Sequence, residues 1–361
     1  MKKSLIALAV AGAFAAPAFA ATSNVDVYGI LNIAIEQNNT AATNDIAVVD
    51  NVSRIGFKGS EDLGGGLKAI WQIESGLSGS PSVAGNGVGG ATLAGRNTFV
   101  GLAGGFGTFL MGRHDTPYKL GTLSLDIFGD TIADYNGGMA AGLATGRLAG
   151  VDLLMNAHDA RSPQAFAYIS PTWSGFHFAV AGIATNTSAA TGNGNSGDAI
   201  DGVSATGVYV NGPLFLSLSY QKVQDADNFV GIAGGTADES SAWKLGASYA
   251  FGDAKVGFVY EDVNTDLTVP LGGNNNVDRK SWLLNGSYTM GPMVLKAEYG
   301  RLSNSSGYQF VTAQGSHPTL WALGLDYNLS KRTTAYVVYA KGDNDAAIDE
   351  SGYNIGIKQS F

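Results

Sequence analysis

The chain has no cysteine, few charged residues and, apart from one stretch near its start, no long apolar run. Without cysteine no disulfide can hold the fold together, so an oxidising compartment imposes no penalty. Only 14% of residues are charged and the net charge is −9, which argues against nucleic acid because that partner needs a basic surface. The apolar run, Leu5 to Ala16, falls short of the ~20 residues of a membrane-spanning helix.

The first twenty residues have the organisation of an export signal. Lys2 and Lys3 precede the apolar run, and Ala18-Phe19-Ala20 fits a small-x-small cleavage site. We therefore predict a signal peptide at residues 1–20 and one mature domain at residues 21–361, exported across an inner membrane.

Glycine is abundant, with 51 residues, and much of the mature chain consists of segments in which apolar and polar residues alternate. In residues 242–251, apolar side chains at odd positions alternate with Lys244, Gly246 and Ser248. Residues 351–361 alternate in the same way and end on the aromatic Phe361. Successive side chains of a strand point to opposite faces, so this pattern predicts strands with one apolar and one polar face.

Two kinds of break separate these segments. Short turns such as Gly252-Asp253 and Gly291-Pro292 alternate with long polar loops such as Asn186 to Ala199. This alternation, over about sixteen segments, predicts an all-β, antiparallel transmembrane β-barrel. We expect the last strand to pair with the first, since an open edge in lipid leaves backbone groups unpaired. Sixteen strands enclose an aqueous channel, which something must narrow.

Three stretches resemble the strands and turns of Gram-negative general porins, most closely the beta-proteobacterial branch: Val52 to Ala69, Arg96 to Arg113, and Arg161 to Phe176. With the Phe361 ending, the resemblance covers essentially the whole mature chain. It implies a homotrimer, multi-pass in the outer membrane and in contact with its lipids, which the insertion machinery recognises through Phe361. It also implies passive diffusion of ions and small hydrophilic solutes, with no cofactor and no chemistry.

In this family the third extracellular loop folds into the barrel and makes the constriction. The longest loop here, Asp115 to Ala160, occupies that position and contains Asp126-Ile127-Phe128-Gly129-Asp130. Asp126 follows Leu125, where the family has Pro-Glu. By the resemblance, the loop carboxylates of Asp126 and Asp130 face a basic wall, and the resulting field selects solutes by size and charge.

The resemblance assigns the basic wall to arginines on matching strand motifs, and alternation adds a lysine to the water-facing side: Arg54, Lys58, Arg96, Arg113 and Arg161. Arg54 and Lys58 alternate with Ile55 and Phe57, so they face water. Arg113 instead shares the parity of Phe109 and Met111. Because an arginine on the lipid face costs about 2–4 kcal/mol at the midplane, we expect a bulge or a position near the rim at Arg113.

Two other functions stay open. A barrel enzyme, such as a lipase, needs a serine–histidine pair held by a third polar group, and no serine lies in a nucleophile motif. The four histidines show no metal-binding spacing. A structural or adhesive barrel with a plugged lumen is the second alternative. The sign of any charge selectivity does not follow from the net charge, because outer loops contribute to it.

Overall fold

The computed structural model describes residues 25–39, 44–77, 93–135, 158–184, 200–224, 236–269, 273–304, 317–343 and 350–361. The predicted signal peptide lies outside these residues. Of the helices within these ranges, none has the length and apolar character to cross a membrane.

The described residues form seventeen strand segments in one sheet. They are β1 (Val25–Asn39), β2 (Asn44–Asp50), β3 (Arg54–Gly64), β4 (Leu67–Gly76), β5 (Thr98–Gly104), β6 (Gly107–Asp115), β7 (Arg161–Ile169), β8 (Phe176–Ile183), β9 (Gly202–Asn211), β10 (Leu214–Gln224), β11 (Thr236–Phe251), β12 (Ala254–Val269), β13 (Gly273–Met290), β14 (Met293–Asn304), β15 (Thr319–Asn328), β16 (Thr333–Asp343) and β17 (Glu350–Ser360).

Two of these segments share one strand position, so the barrel has sixteen. β2 pairs with the second half of β1, from Ile33 onward, and β3 pairs with its first half, up to Ile30. The interruption between them, at residues 51–53, includes Val52 with a positive φ of 62°. The prediction of about sixteen antiparallel strands is confirmed.

The barrel closes between its first and last strands. β1 pairs with β17 from Ile30 opposite Ser360 to Asn39 opposite Ser351. Gly29 and Phe361 extend this ladder by exchanging two backbone hydrogen bonds of 3.1 Å. The closed ladder satisfies the backbone groups that an open edge would leave unpaired in lipid.

Exposure follows the predicted alternation. On β11, Trp243 is 53% exposed and Leu245 42%, whereas Lys244 between them is fully buried. The apolar face therefore points outward and the polar face inward. In a membrane the outward face meets lipid, which replaces the second apolar layer of a soluble protein.

Some strands extend further than hydrophobic alternation predicts. The predicted loops Gln37 to Asp50 and Asn264 to Asp278 are largely strand, because β1 reaches Asn39, β12 reaches Val269 and β13 begins at Gly273. Their apolar residues are few and are flanked by polar ones, as for Ile46 to Val49 between Asp45 and Asp50. The alternation of apolar and polar residues therefore ends before the backbone pairing of the strands ends.

The expected irregularity beside Arg113 is present. The β6–β7 register shifts between Gly112 and His114, and Gly112 has a φ of +138°. Arg113 lies opposite Thr98 of β5 and is partly exposed.

Candidate functional site

The connection that follows β6 turns into the barrel. Its described part, residues 116–135, is called the inward segment below. It contains one helical turn, α1 (Pro117–Leu120), and a 3₁₀ turn (Leu123–Leu125). The Thr116 hydroxyl caps α1 by accepting a hydrogen bond from the Lys119 N–H at 3.4 Å.

Hydrogen bonds from four strands hold the inward segment against the inner face of the barrel. They join Tyr118 N–H to Ser204 Oγ (2.9 Å), Asn285 Nδ2–H to Leu125 O (2.6 Å), Asn32 Nδ2–H to Asp130 O (2.9 Å) and Ile132 N–H to Asn354 Oδ1 (2.8 Å). These bonds hold residues 118–132 against buried side chains of the sheet, and the entry of the third loop into the lumen stays a prediction. Residues 136–157 of the predicted loop lie outside the described residues.

Apolar side chains of the inward segment add packing to these bonds. Phe128 and Leu125 are buried in a core cluster with wall residues such as Val259. A Cβ on Gly324 would lie 2.6 Å from Phe128 Cε1, so glycine at this position makes room for the ring. Lys296 Nζ lies 4.9 Å from the centroid of the same ring, within the range of a cation–π contact.

One side of the interior, along β10–β13, is filled by a buried polar cluster. Its members are Tyr118, His158, Asp159, Gln221, Lys244, Glu261 and Arg279. Lys244 Nζ is hydrogen-bonded to Asp159 Oδ1, with both side chains fully buried. The Tyr118 hydroxyl donates to Glu261 Oε1 at 2.8 Å. Charges buried this deeply require partners, so this side consists of interlocked side chains.

A serine–histidine contact lies within this filled side. His158 Nε2 is 2.9 Å from Ser240 Oγ, and the Gln221 amide lies 3.2 Å from His158 Nδ1. Burial, followed by the positive charge of Lys244, lowers the pKa of His158 to about 3. All three side chains are fully buried. The contact therefore belongs to the packing between wall and loop, where no solute reaches it.

Three of the predicted wall arginines come together elsewhere in the interior. The side chains of Arg54, Arg96 and Arg161 are each about 20% exposed, at 20%, 18% and 21%. Burial, and then the positive charge of Arg161, lowers the pKa of Arg96. The positive charge of Arg54 adds to this lowering. The three guanidinium groups therefore lie within electrostatic reach of one another.

Arg54 joins the barrel wall to the inward segment. Its Nη1 lies 3.0 Å from Asp130 Oδ2, and Lys358 Nζ lies 3.7 Å from the same oxygen. Asp130 has a positive φ of 62°, a conformation that aspartate tolerates better than most residues. A carboxylate of the inward segment thus faces two basic wall residues, Arg54 and Lys358; its role in selectivity stays a prediction.

Arg96 and Arg161 pair with carboxylates of the wall itself. Arg96 Nε lies 2.5 Å from Glu74 Oε1. Asp115 Oδ1 lies 3.2 Å from Arg161 Nε and 3.0 Å from Lys119 Nζ. The residues joined by these pairs and by those of Asp130 are called the constriction group: Arg54, Arg96, Lys119, Arg161, Lys358, Glu74, Asp115 and Asp130.

Asp126 lies apart from this group, among acidic side chains. Its Oδ1 accepts the Phe128 N–H at 3.0 Å. Burial, followed by the negative charges of Asp134 and Glu298, raises the pKa of Asp126 well above its usual range. The structure does not bring Asp126 to the wall arginines, whereas it does bring Asp130 there.

The other two predicted wall residues also lie outside the constriction group. Lys58 Nζ is 5.3 Å from the ring centroid of Tyr28. Arg113 shares the alternation of the outward Met111, beside the register shift. Sequence reasoning missed Glu74, Asp115 and Lys119. For Glu74 the alternation gave a usable signal, because Glu74 and Lys68 are an even number of residues apart on β4 and so share its inward face.

A closed barrel with an apolar outer face, a polar interior and an inward loop segment defines a transmembrane β-barrel channel. The chain belongs to the Gram-negative porin family, whose sequence profile matches residues 7–347. It is 31% identical, over all of both chains, to an outer membrane porin protein of Bordetella pertussis and to outer membrane porin protein 32 of Delftia acidovorans. An anion-selective porin from Comamonas acidovorans has the same fold, with a TM-score of 0.72 and 24% identity over 94% of this chain and 100% of that one. The chain is therefore an outer-membrane porin, a water-filled channel for passive diffusion.

Proposed function

We propose that diffusing solutes pass the constriction group, which together with the rest of the inward segment selects them by size and charge. The Arg54–Asp130 contact of 3.0 Å carries this proposal, because it joins a wall cation to a loop carboxylate inside the barrel. The buried polar cluster along β10–β13 supports the proposal. Because it fills that side of the interior, solutes would pass on the opposite side. Fixed charges at a narrow point act strongly on a passing ion.

We further propose that the channel prefers anions. The constriction group contains five cationic side chains and three carboxylates, so its ion pairs leave an excess of positive charge. The related porin from Comamonas acidovorans is described as anion-selective. Asp126 is not part of this count, because it lies apart from the wall arginines, where burial raises its pKa.

The same proposal includes the partners. The outward face of β1 and β17 exposes apolar side chains, among them Val27, Leu31 and Ile357, a surface suited to lipid or to a second copy. OmpT, an outer membrane protein of Vibrio cholerae with the same fold, was solved in a trimer form. We propose a homotrimer that closes in three equal conductance steps, and a role for Phe361 in recognition by the insertion machinery.

Planar-bilayer recording tests the channel and its selectivity. The wild-type protein is expected to show stepwise conductance and, in a potassium chloride gradient, a zero-current potential on the anion side. Replacing both Arg54 and Arg96 by glutamine removes two positive charges, so the zero-current potential is expected to move toward the cation side. Arg332→Gln is the matched control, because Arg332 lies in the exposed β15–β16 turn.

Three outcomes contradict the proposal. An unchanged zero-current potential in the double variant removes the two arginines from the conducting path. Absence of stepwise conductance favours a plugged structural barrel. Hydrolysis of lipid or peptide by the pure protein, lost on one serine or aspartate substitution, favours an enzyme.

A further inference from the structure

We propose that two carboxylates of the barrel wall, Glu74 and Asp115, determine the charge selectivity of the channel by neutralising Arg96 and Arg161. The inference rests on the proposed function, because it concerns the same constriction. It differs from the proposed function in assigning control of the charge selectivity to carboxylates of the wall as well as to the loop carboxylate.

Glu74 is held in place by both of its carboxylate oxygens. Oε1 accepts a hydrogen bond from Arg96 Nε at 2.5 Å, and Oε2 accepts one from the Tyr28 hydroxyl at 2.9 Å. The Arg96 backbone N–H also donates to the Glu74 carbonyl oxygen at 3.0 Å. Only 8% of the Glu74 side chain is exposed. The carboxylate is therefore fixed beside Arg96 and offsets its charge.

Asp115 is placed in the same way between two cations. Its Oδ1 lies 3.2 Å from Arg161 Nε and 3.0 Å from Lys119 Nζ, while its Oδ2 accepts a hydrogen bond from Asn97 Nδ2 at 2.7 Å. Asn97 Oδ1 accepts both the Asp115 N–H and the Arg161 Nε–H, at 3.1 and 3.0 Å. One carboxylate thus offsets one of two positive charges.

The electrostatic consequence depends on distance and screening. At about 0.1 M salt the Debye length is ~10 Å, so a charge lining a narrow water path acts on each passing ion. Each wall carboxylate cancels about one positive charge of the constriction group. Its removal therefore makes the path more positive, whereas the loop carboxylate of Asp130 continues to offset Arg54.

Glu74→Gln tests the inference in planar bilayers at low salt. We expect the chloride-to-potassium permeability ratio to rise ~3-fold, with a smaller rise at 1 M salt, where the Debye length is about 3 Å. Asp115→Asn is expected to raise the ratio in the same direction, and it tests the inference independently if Glu74→Gln does not fold. Glu239→Gln is the matched control, because it removes a carboxylate from the Lys222–Glu239 pair of 2.8 Å, away from the constriction group.

A double variant separates charge from shape. Glu74→Gln with Arg96→Gln removes one charge of each sign, so the ratio is expected to return close to that of the wild type. A ratio that stays raised in this double variant overturns the inference. So does an unchanged ratio in both Glu74→Gln and Asp115→Asn while Arg54→Gln/Arg96→Gln still shifts selectivity. If the arginine variant also has no effect, the proposed function fails as well.

Discussion

Lys244 and Asp159 form a fully buried ion pair between a barrel strand and the chain that returns from the third loop. Lys244 Nζ also lies 4.1 Å from the ring centroid of Tyr118 in the inward segment. Removing charges from water is costly, and the attraction between the two partners compensates for this only while both are present. The pair therefore adds a charged contact to the hydrogen bonds and apolar packing that hold the loop against the wall.

Lys244→Met is expected to destabilise the barrel by about 3–5 kcal/mol, because it leaves the Asp159 carboxylate buried without its partner. The measurement is thermal unfolding in detergent, followed by circular dichroism. Lys222→Met is the matched control, since Lys222 pairs with Glu239 on a partly exposed surface, where such pairs contribute about 0–1 kcal/mol.

A compensating variant shows whether the effect arises from the unpaired charge. Lys244→Met combined with Asp159→Leu is expected to recover most of the lost stability, because it replaces an ion pair by apolar side chains. Equal stability of Lys244→Met and the wild type contradicts the interpretation.

The sequence had named four residues of the constriction group, Arg54, Arg96, Arg161 and Asp130, and their role in selectivity stays a prediction. Alternation correctly placed Arg54 on the inward face, and the resemblance selected Arg96 and Arg161. Alternation could place Glu74 on the inward face, but it defines a face and not the neighbours across it, so neither Glu74 nor Asp115 could be recognised as the partner of an arginine. Glu74 meets Arg96 because Arg96 lies beside β4, where its backbone N–H donates to the Glu74 carbonyl oxygen.

Strands were the elements that the sequence predicted best. A strand facing lipid must be apolar at every second position, so the period is visible wherever the chain crosses the membrane. β2 and the ends of β12 and β13 escaped prediction because their apolar residues are few and are flanked by polar ones. The irregularity beside Arg113 was expected on energetic grounds, and it is present at Gly112.

Gly112 permits this irregularity between β6 and its neighbours. Its φ is +138°, and a Cβ there would lie 2.4 Å from the Thr98 carbonyl oxygen and 2.9 Å from Phe99 Cα. Both neighbours are backbone atoms, so a side chain cannot be accommodated by a rotamer change. The glycine thus allows the shift that follows in the β6–β7 ladder.

Gly112→Ala is expected to lower barrel stability by about 1–3 kcal/mol, because it combines strained backbone with a backbone clash. Refolding yield from urea into detergent and the thermal midpoint measure the effect. Gly286→Ala is the matched control, because the nearest atom to its Cβ, Lys255 O, is 3.5 Å away. Equal losses in the two variants contradict the role of Gly112.

At the level of the whole molecule, closure of the barrel gives every strand two neighbours. All sixteen positions find two neighbours only when β17 reaches β1. Phe361 completes that ladder through two backbone hydrogen bonds with Gly29, and its ring lies over the same glycine, where a Cβ would be 2.4 Å from Phe361 Cζ. Backbone pairing at this position does not depend on the aromatic ring, so closure and recognition of the terminus can be separated experimentally.

Phe361→Ala keeps the backbone pairing with Gly29 and removes only the ring. The purified variant is expected to refold into detergent with nearly wild-type yield, because the β1–β17 ladder remains. In cells we expect the amount of assembled outer-membrane protein to fall several-fold, since the proposed recognition by the insertion machinery requires the terminal aromatic ring. Heat-modifiable gel mobility of outer-membrane fractions measures assembly. Phe251→Ala, which removes another outward aromatic ring at a strand end, is the matched control, and equal assembly of the two variants contradicts a special role for Phe361.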